Sequence, residues 1–183
     1  MENKYSDIHK KTPKEAAEIV GKVEKNNYFA HSIREIEMSI LKYQSKHYHI
    51  ITYHTETGSQ KSKIKFYDER CEIRLPAECD EMDDKKVRLV LAHELGHLVY
   101  NINKLGNSEM LKNATKTDGE ELYAWVFAYH LVKIKSDEHK NNNNLKKFIY
   151  NRADLKDFFL AIVKERNATV YDAVKENLLL NND

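Results

Sequence analysis

The stretch His93-Glu94-Leu95-Gly96-His97 predicts both a helix and a metal site. On an α-helix, two histidines four residues apart project from one face, so their imidazoles can share one cation. Zinc is the expected ion, because catalytic zinc sites use nitrogen and oxygen ligands and keep one position for water. Glu94 adjoins the first histidine, where its carboxylate can take a proton from that water. The motif therefore predicts His93 and His97 as metal ligands and Glu94 as the catalytic acid/base.

The residues around the motif favour a helix. Asp83 or Asp84 can cap its N-terminus, and apolar residues follow along one broad side, namely Val87, Val90, Leu91, Leu95 and Leu98. Gly96 lies inside this helix, where glycine costs up to ~1 kcal/mol relative to alanine. We therefore expect another segment to pass close beside Gly96. The alternative is a helix that carries two histidines by chance.

A third ligand is expected from the acidic cluster Asp118-Gly119-Glu120-Glu121. The elongated metzincin signature is excluded, because it requires glycine and histidine where this chain has Tyr100 and Asn103. Thr117 and Glu120 form a capping box that starts a helix and engages Glu120. Glu121 then lies in the first turn, where the helix dipole favours an ionised carboxylate. Because Glu120 is assigned to the cap, Glu121 is predicted to be the third ligand. The alternative is that both glutamates are solvated first-turn acids.

Together these residues resemble the ImmA/IrrE metallopeptidases. The resemblance is strongest over residues 64–132 and rests on the His93–His97 motif and on a later helix with Glu121, Ala124, Phe127 and Ala128. It implies a minimal zincin fold with Zn²⁺ held by His93, His97 and Glu121, and Glu94 as the catalytic group.

The same resemblance implies a substrate. Members of this family cut or inactivate a helix-turn-helix repressor of a phage, a mobile element or a stress response. A zinc-dependent endopeptidase acting on such a repressor is therefore expected. Two alternatives stay open. One is a catalytically weak or inactive zincin that relieves repression by binding a regulator, and the other is a DNA-binding regulator.

Composition agrees with a small intracellular enzyme. The chain has 183 residues, of which 41% are hydrophobic, enough for one substantial core. A net charge of +1 gives no electrostatic argument for binding nucleic acid or an anionic membrane. The N-terminus lacks an apolar signal segment, and Cys71 and Cys79 do not form a secreted disulfide framework. A cytoplasmic location is therefore expected, while the oligomeric state stays open.

The order of predicted elements indicates an α+β fold. A capping box at Thr12 with Pro13 predicts a helix to about Asn26, and a second box at Ser32–Glu35 predicts another helix. Strands are expected at 48–53, 64–66 and 71–75, where β-branched and aromatic residues are frequent. The expected architecture is a helix pair, a small antiparallel sheet and the motif helix, followed by a C-terminal helical lobe.

The polar run at 137–144, which ends in four asparagines, suggests a boundary between two parts of the chain. We expect a zincin-like metallopeptidase domain over 1–136 and a C-terminal helical lobe over 137–183. Two amphipathic helices are predicted in this lobe, the first around Leu155–Val163 and the second around Val170–Leu178. They resemble a helix-turn-helix loosely, and the alternative is a helical cover packed on the catalytic part or on a partner.

Overall fold

A computed structural model of the protein describes residues 11–21, 35–43, 46–56, 63–66, 70–76, 83–105, 118–141 and 152–180. Within these ranges the helices are α1 (Pro13–Gly21), α2 (Asp84–Leu105), α3 (Asp118–His139), α4 (Arg152–Arg166) and α5 (Tyr171–Leu180). A short 3-10 helix, Ala168–Val170, precedes α5. The strands are β1 (Glu35–Tyr43), β2 (Lys46–Glu56), β3 (Lys63–Phe66) and β4 (Arg70–Pro76). The described part of the chain is therefore mainly helical, with one sheet.

The four strands form a mixed sheet in the order β1-β2-β4-β3. Strand β1 pairs with β2 and strand β3 pairs with β4 in antiparallel fashion, whereas β2 and β4 run parallel. The strands predicted at 48–53, 64–66 and 71–75 are present, but the purely antiparallel sheet is not. Strand β3, four residues long, lies at one edge of the sheet, and β4 lies between β3 and β2.

The helix predicted after Ser32 is wrong, because residues 35–43 form strand β1. In this segment apolar residues alternate with polar ones at Ile36, Met38 and Ile40, a period of two that suits a strand. Pairing with β2 provides hydrogen-bond partners for the backbone groups of β1 that face β2. Ser32 itself lies outside the described residues. The expected helix pair thus reduces, within the described chain, to α1.

Helix α1 begins as its sequence predicts. The Glu15 backbone N–H donates to Thr12 Oγ1 at 3.3 Å, and the Thr12 N–H donates to Glu15 Oε2 at 2.8 Å. This reciprocal capping box satisfies donors that the first helical turn would otherwise leave without partners. The helix is described to Gly21, and the predicted continuation to Asn26 lies outside the described residues.

Helices α2 and α3 meet at Gly96. A Cβ atom built on Gly96 would lie 2.6 Å from Ala124 Cα and 2.7 Å from Ala124 O, closer than atoms can approach. The two backbones are therefore in direct contact, and this confirms the close passage expected from the glycine. Around the contact lies one apolar core, which also takes in two β4 side chains and includes Ile73, Leu75, Leu95, Leu98, Phe127, Leu131 and Phe159.

The C-terminal helices pack on this core through the faces that the sequence predicts. Leu155, Phe159 and Val163 of α4 are buried, as are Val174 and Leu178 of α5. Helix α3 continues to His139, past the proposed boundary at 136/137, and the division into two domains stays a prediction. Among the described residues, no helix combines the length and apolar character that a membrane span requires.

Candidate metal centre

The motif residues come together on the buried face of α2. His93, Glu94 and His97 are 6%, 3% and 1% exposed, and each offers a ligand atom within 4.8 Å of the others. Two ring nitrogens, His93 Nε2 and His97 Nε2, lie 3.0 Å apart. The helical spacing thus directs both imidazoles to one point, as the sequence predicts, and the group can hold a metal ion.

Glu121 reaches the same point from the first turn of α3. Its Oε2 lies 3.4 Å from His93 Nε2, and its Oε1 lies 3.4 Å from His97 Nε2. Two ligand atoms that are each ~2.1 Å from a tetrahedral ion lie about 3.4 Å apart. The two distances from the Glu121 carboxylate, one to each histidine, therefore match this separation, and the two Nε2 atoms lie closer together, at 3.0 Å. Nitrogen and oxygen donors in this number fit a divalent cation.

Glu120, in the first turn of α3, contacts a motif histidine. This side chain is buried, and its Oε1 lies 2.8 Å from His97 Nδ1. A carboxylate only accepts hydrogen bonds, so His97 Nδ1 carries the hydrogen and Nε2 keeps its lone pair. The sequence assigns Glu120 to a capping box with Thr117, which lies outside the described residues, so that assignment stays a prediction. The contact with His97 was not predicted. Carboxylates that orient metal-binding histidines in this way are a recurrent feature of metal sites.

His93 is held differently. Its ring stacks on Trp125 of α3, with centroids 3.8 Å apart and planes inclined by 24°. Within the described part of the chain, His93 Nδ1 has no hydrogen-bond partner. Burial lowers the pKa of His93 from its usual 6.5, although the nearby Glu121 carboxylate acts in the opposite direction. The neutral imidazole that results is the form that binds metal.

A residue from the C-terminal part also reaches the centre. Asn167, between α4 and the 3-10 helix, donates from Nδ2 to Glu121 Oε2 at 3.1 Å. The sequence offers no signal for this contact, because 46 residues separate the two side chains. The position of Glu120 beside Glu121 could have suggested a place at the centre. The predicted capping box assigned Glu120 to the helix start instead.

Comparisons with protein-family models, with curated proteins and with solved structures found no match for this chain. The resemblance to the ImmA/IrrE metallopeptidases therefore rests on the motif residues alone.

Proposed function

We propose that the protein is a zinc-dependent endopeptidase. The observation that carries this proposal is the convergence of three side chains: His93 Nε2 and His97 Nε2 lie 3.0 Å apart, and the Glu121 carboxylate lies 3.4 Å from each, through Oε2 and Oε1 respectively. These three donors come from two helices, and the intervening stretch of sequence is more than 20 residues long. Two imidazoles and one carboxylate are a ligand set used by zinc peptidases that keep a position for water.

In the proposed centre, His93, His97 and Glu121 would hold Zn²⁺. When bound, the ion supplies a Lewis acid that lowers the pKa of a coordinated water to about 7 and polarises the peptide carbonyl. His97 is kept in the metal-binding tautomer by Glu120, and His93 is oriented by its stack on Trp125.

Glu94 is the proposed acid/base. Its carboxylate is buried and within 4.8 Å of the ligand nitrogens of both motif histidines, close enough to reach a water at the centre. It accepts one proton from the water as the water oxygen bonds to the peptide carbonyl carbon. It then delivers that proton to the amide nitrogen as the C–N bond breaks, which leaves a carboxylic acid and an amine.

The proposed substrate is a helix-turn-helix repressor. Its support is the resemblance of the motif residues to the ImmA/IrrE metallopeptidases, whose substrates are of this class. A protein substrate would have to present an extended segment to a centre that lies among the helices. The proposed setting is cytoplasmic, since repressors act there.

Metal analysis of the purified protein tests the centre. We expect about one zinc per chain in the wild type and a clear loss of zinc in Glu121→Ala, because one of three ligands is removed. Asp118→Asn is the matched control, since Asp118 is an exposed acid in the same helical turn. If Glu121→Ala retains the zinc content of the control, the third ligand is a different residue.

Co-expression with a repressor encoded beside the gene of this protein tests the reaction. Zinc-dependent fragments on a gel, absent with His97→Ala, support the peptidase. An intact repressor that co-purifies with the protein supports a zincin that acts by binding alone. A salt-dependent shift of duplex DNA, without cleavage of any repressor, supports a DNA-binding regulator acting through α4 and α5.

A further inference from the structure

The connection between α4 and α5 is anchored at the candidate metal centre. Asn167 follows the last residue of α4, and its backbone N–H donates to Val163 O at 2.7 Å, which closes that helix. From this fixed backbone the side-chain amide reaches Glu121 Oε2 at 3.1 Å. The contact is a charge-assisted hydrogen bond, stronger than a bond between neutral groups.

The amide of Asn167 is oriented from both sides. Because the Glu121 carboxylate only accepts hydrogen bonds, the NH₂ group of Asn167 faces it. The amide oxygen faces the other way and accepts a hydrogen bond from Thr169 Oγ1 at 2.6 Å. Thr169 therefore holds the amide in the orientation in which it can donate to Glu121.

We propose that Asn167 is a positioning residue of the metal centre, which fixes the Glu121 carboxylate in the place where it can ligate the ion. This inference rests on the proposed zinc function. A glutamate side chain has three rotatable bonds, and Glu121 retains 17% of its side-chain exposure, so packing alone does not fix its carboxylate. The bond from Asn167 holds Oε2, which leaves Oε1 beside His97 Nε2 at 3.4 Å.

A second contact brings the same part of the chain to the centre. Phe159 of α4 packs edge-to-face on Trp125, with centroids 5.9 Å apart, and Trp125 stacks on His93. Asn167 thus contacts Glu121 on α3, and Phe159 supports His93 on α2 through Trp125. The region predicted to be a separate lobe is, on this proposal, needed to complete the centre.

Zinc affinity of the full-length protein tests the proposal. Competition with a chromophoric chelator should show zinc binding weakened about 10- to 100-fold in Asn167→Ala, as is usual when a group that orients a ligand is removed. Asn167→Gln keeps the N–H donor and should recover part of the affinity. Thr169→Val should weaken binding, whereas Thr169→Ser keeps the hydroxyl and should not.

A control and a spectrum separate positioning from a general effect on folding. Glu165→Gln alters an exposed ion pair of α4, between Glu165 and Lys86 at 2.8 Å, which contacts none of the proposed ligands, and it should leave zinc affinity unchanged. The visible absorption of the cobalt-loaded protein should change in Asn167→Ala, because it reports the coordination geometry, and should not change in Glu165→Gln. Thermal unfolding of the metal-free variants identifies any that fail to fold.

A wrong metal centre and a wrong positioning role for Asn167 would give different results. If the wild type binds zinc no more tightly than His93→Ala, the metal centre is wrong and the role of Asn167 is overturned with it. If the wild type binds zinc but Asn167→Ala and Thr169→Val match it within about twofold, with an unchanged cobalt spectrum, the positioning role alone is overturned.

Discussion

Glu120 Oε1 and His97 Nδ1 form a buried pair, 2.8 Å apart, that links the first turn of α3 to the motif helix. The pair fixes which nitrogen of His97 carries the hydrogen, and so which nitrogen can bind a metal. Adjacent glutamates in one helical turn thereby serve different purposes. Glu121 lies beside the Nε2 atoms of both motif histidines, and Glu120 contacts Nδ1 of His97.

Glu120→Gln is expected to weaken zinc binding about 10- to 100-fold, because an amide can present either its oxygen or its NH₂ group to His97. The affinity is measured by chelator competition at constant pH. Asp118→Asn again serves as the control, as an exposed acid of the same turn. An unchanged affinity in Glu120→Gln would show that the pair does not prepare the ligand.

Glu94→Gln should keep the zinc and lose turnover about 10²- to 10⁴-fold, because the amide cannot accept a proton from water. The side chains have similar size and Glu94 is 3% exposed, so the substitution preserves packing. Zinc content and cleavage rate are measured on the same preparation. Undiminished cleavage would remove the acid/base role from Glu94.

Gly96→Ala is expected to lower the free energy of unfolding by about 1–3 kcal/mol, as overpacking of a core does. The new methyl group would meet Ala124 backbone atoms at 2.6–2.7 Å, so α2 and α3 would have to separate. Zinc affinity should fall with it, since the ligands lie on these two helices. Denaturant unfolding of the metal-free protein measures the stability.

Gly21→Ala is the matched control for this substitution. Among the described residues, the atom nearest to its new methyl group would be Ile134 Cγ2, at 3.0 Å, and a side chain can move aside. We expect its free energy of unfolding to stay within about 1 kcal/mol of the wild type. Equal effects of the two substitutions would contradict a special contact at Gly96.

His130 makes the stability depend on pH. Burial, together with the positive charges of Lys14 and Lys133, lowers the pKa of this imidazole from 6.5 to about 4. Between these values the unfolded chain binds a proton that the folded protein does not. The stabilisation is therefore complete above pH ~6.5 and is lost as the pH falls toward ~4, by about 2 kcal/mol between pH 7 and pH 5.

His130→Gln should remove this dependence, since glutamine does not titrate. The quantity to compare is the difference in unfolding free energy between pH 7 and pH 5, wild type minus variant, from denaturant unfolding. Equal differences in the two proteins would mean that the folded state does not disfavour the protonated His130.

Prediction from sequence succeeded where local spacing determines the outcome. Histidines four apart on a helix share a face in any fold, and a glycine at Gly96 inside that helix indicates a close neighbour. The local sequence likewise predicts that Glu121 lies in the first turn of a helix, and this prediction needs no information about the other elements. These features depend on helical geometry alone.

Prediction from sequence failed where the structure depends on contacts between segments that are far apart in the chain. The segment 35–43 has a capping signal before it and an alternating pattern within it, and pairing with β2 selects the strand. The parallel register of β2 and β4 depends on which strands become neighbours in the sheet. Asn167 lies beside Glu121 because α4 packs on the core, and the sequence around Asn167 does not predict that contact.

The backbone contact between Gly96 and Ala124 would hold the candidate metal site in place even without an ion. Main-chain atoms in contact set the separation of α2 and α3, so the donors are assembled before any ion arrives and binding requires little reorganisation. Removing zinc with a chelator should accordingly leave circular dichroism and hydrodynamic radius unchanged. Small domains that fold around zinc behave in the opposite way and unravel when it is withdrawn.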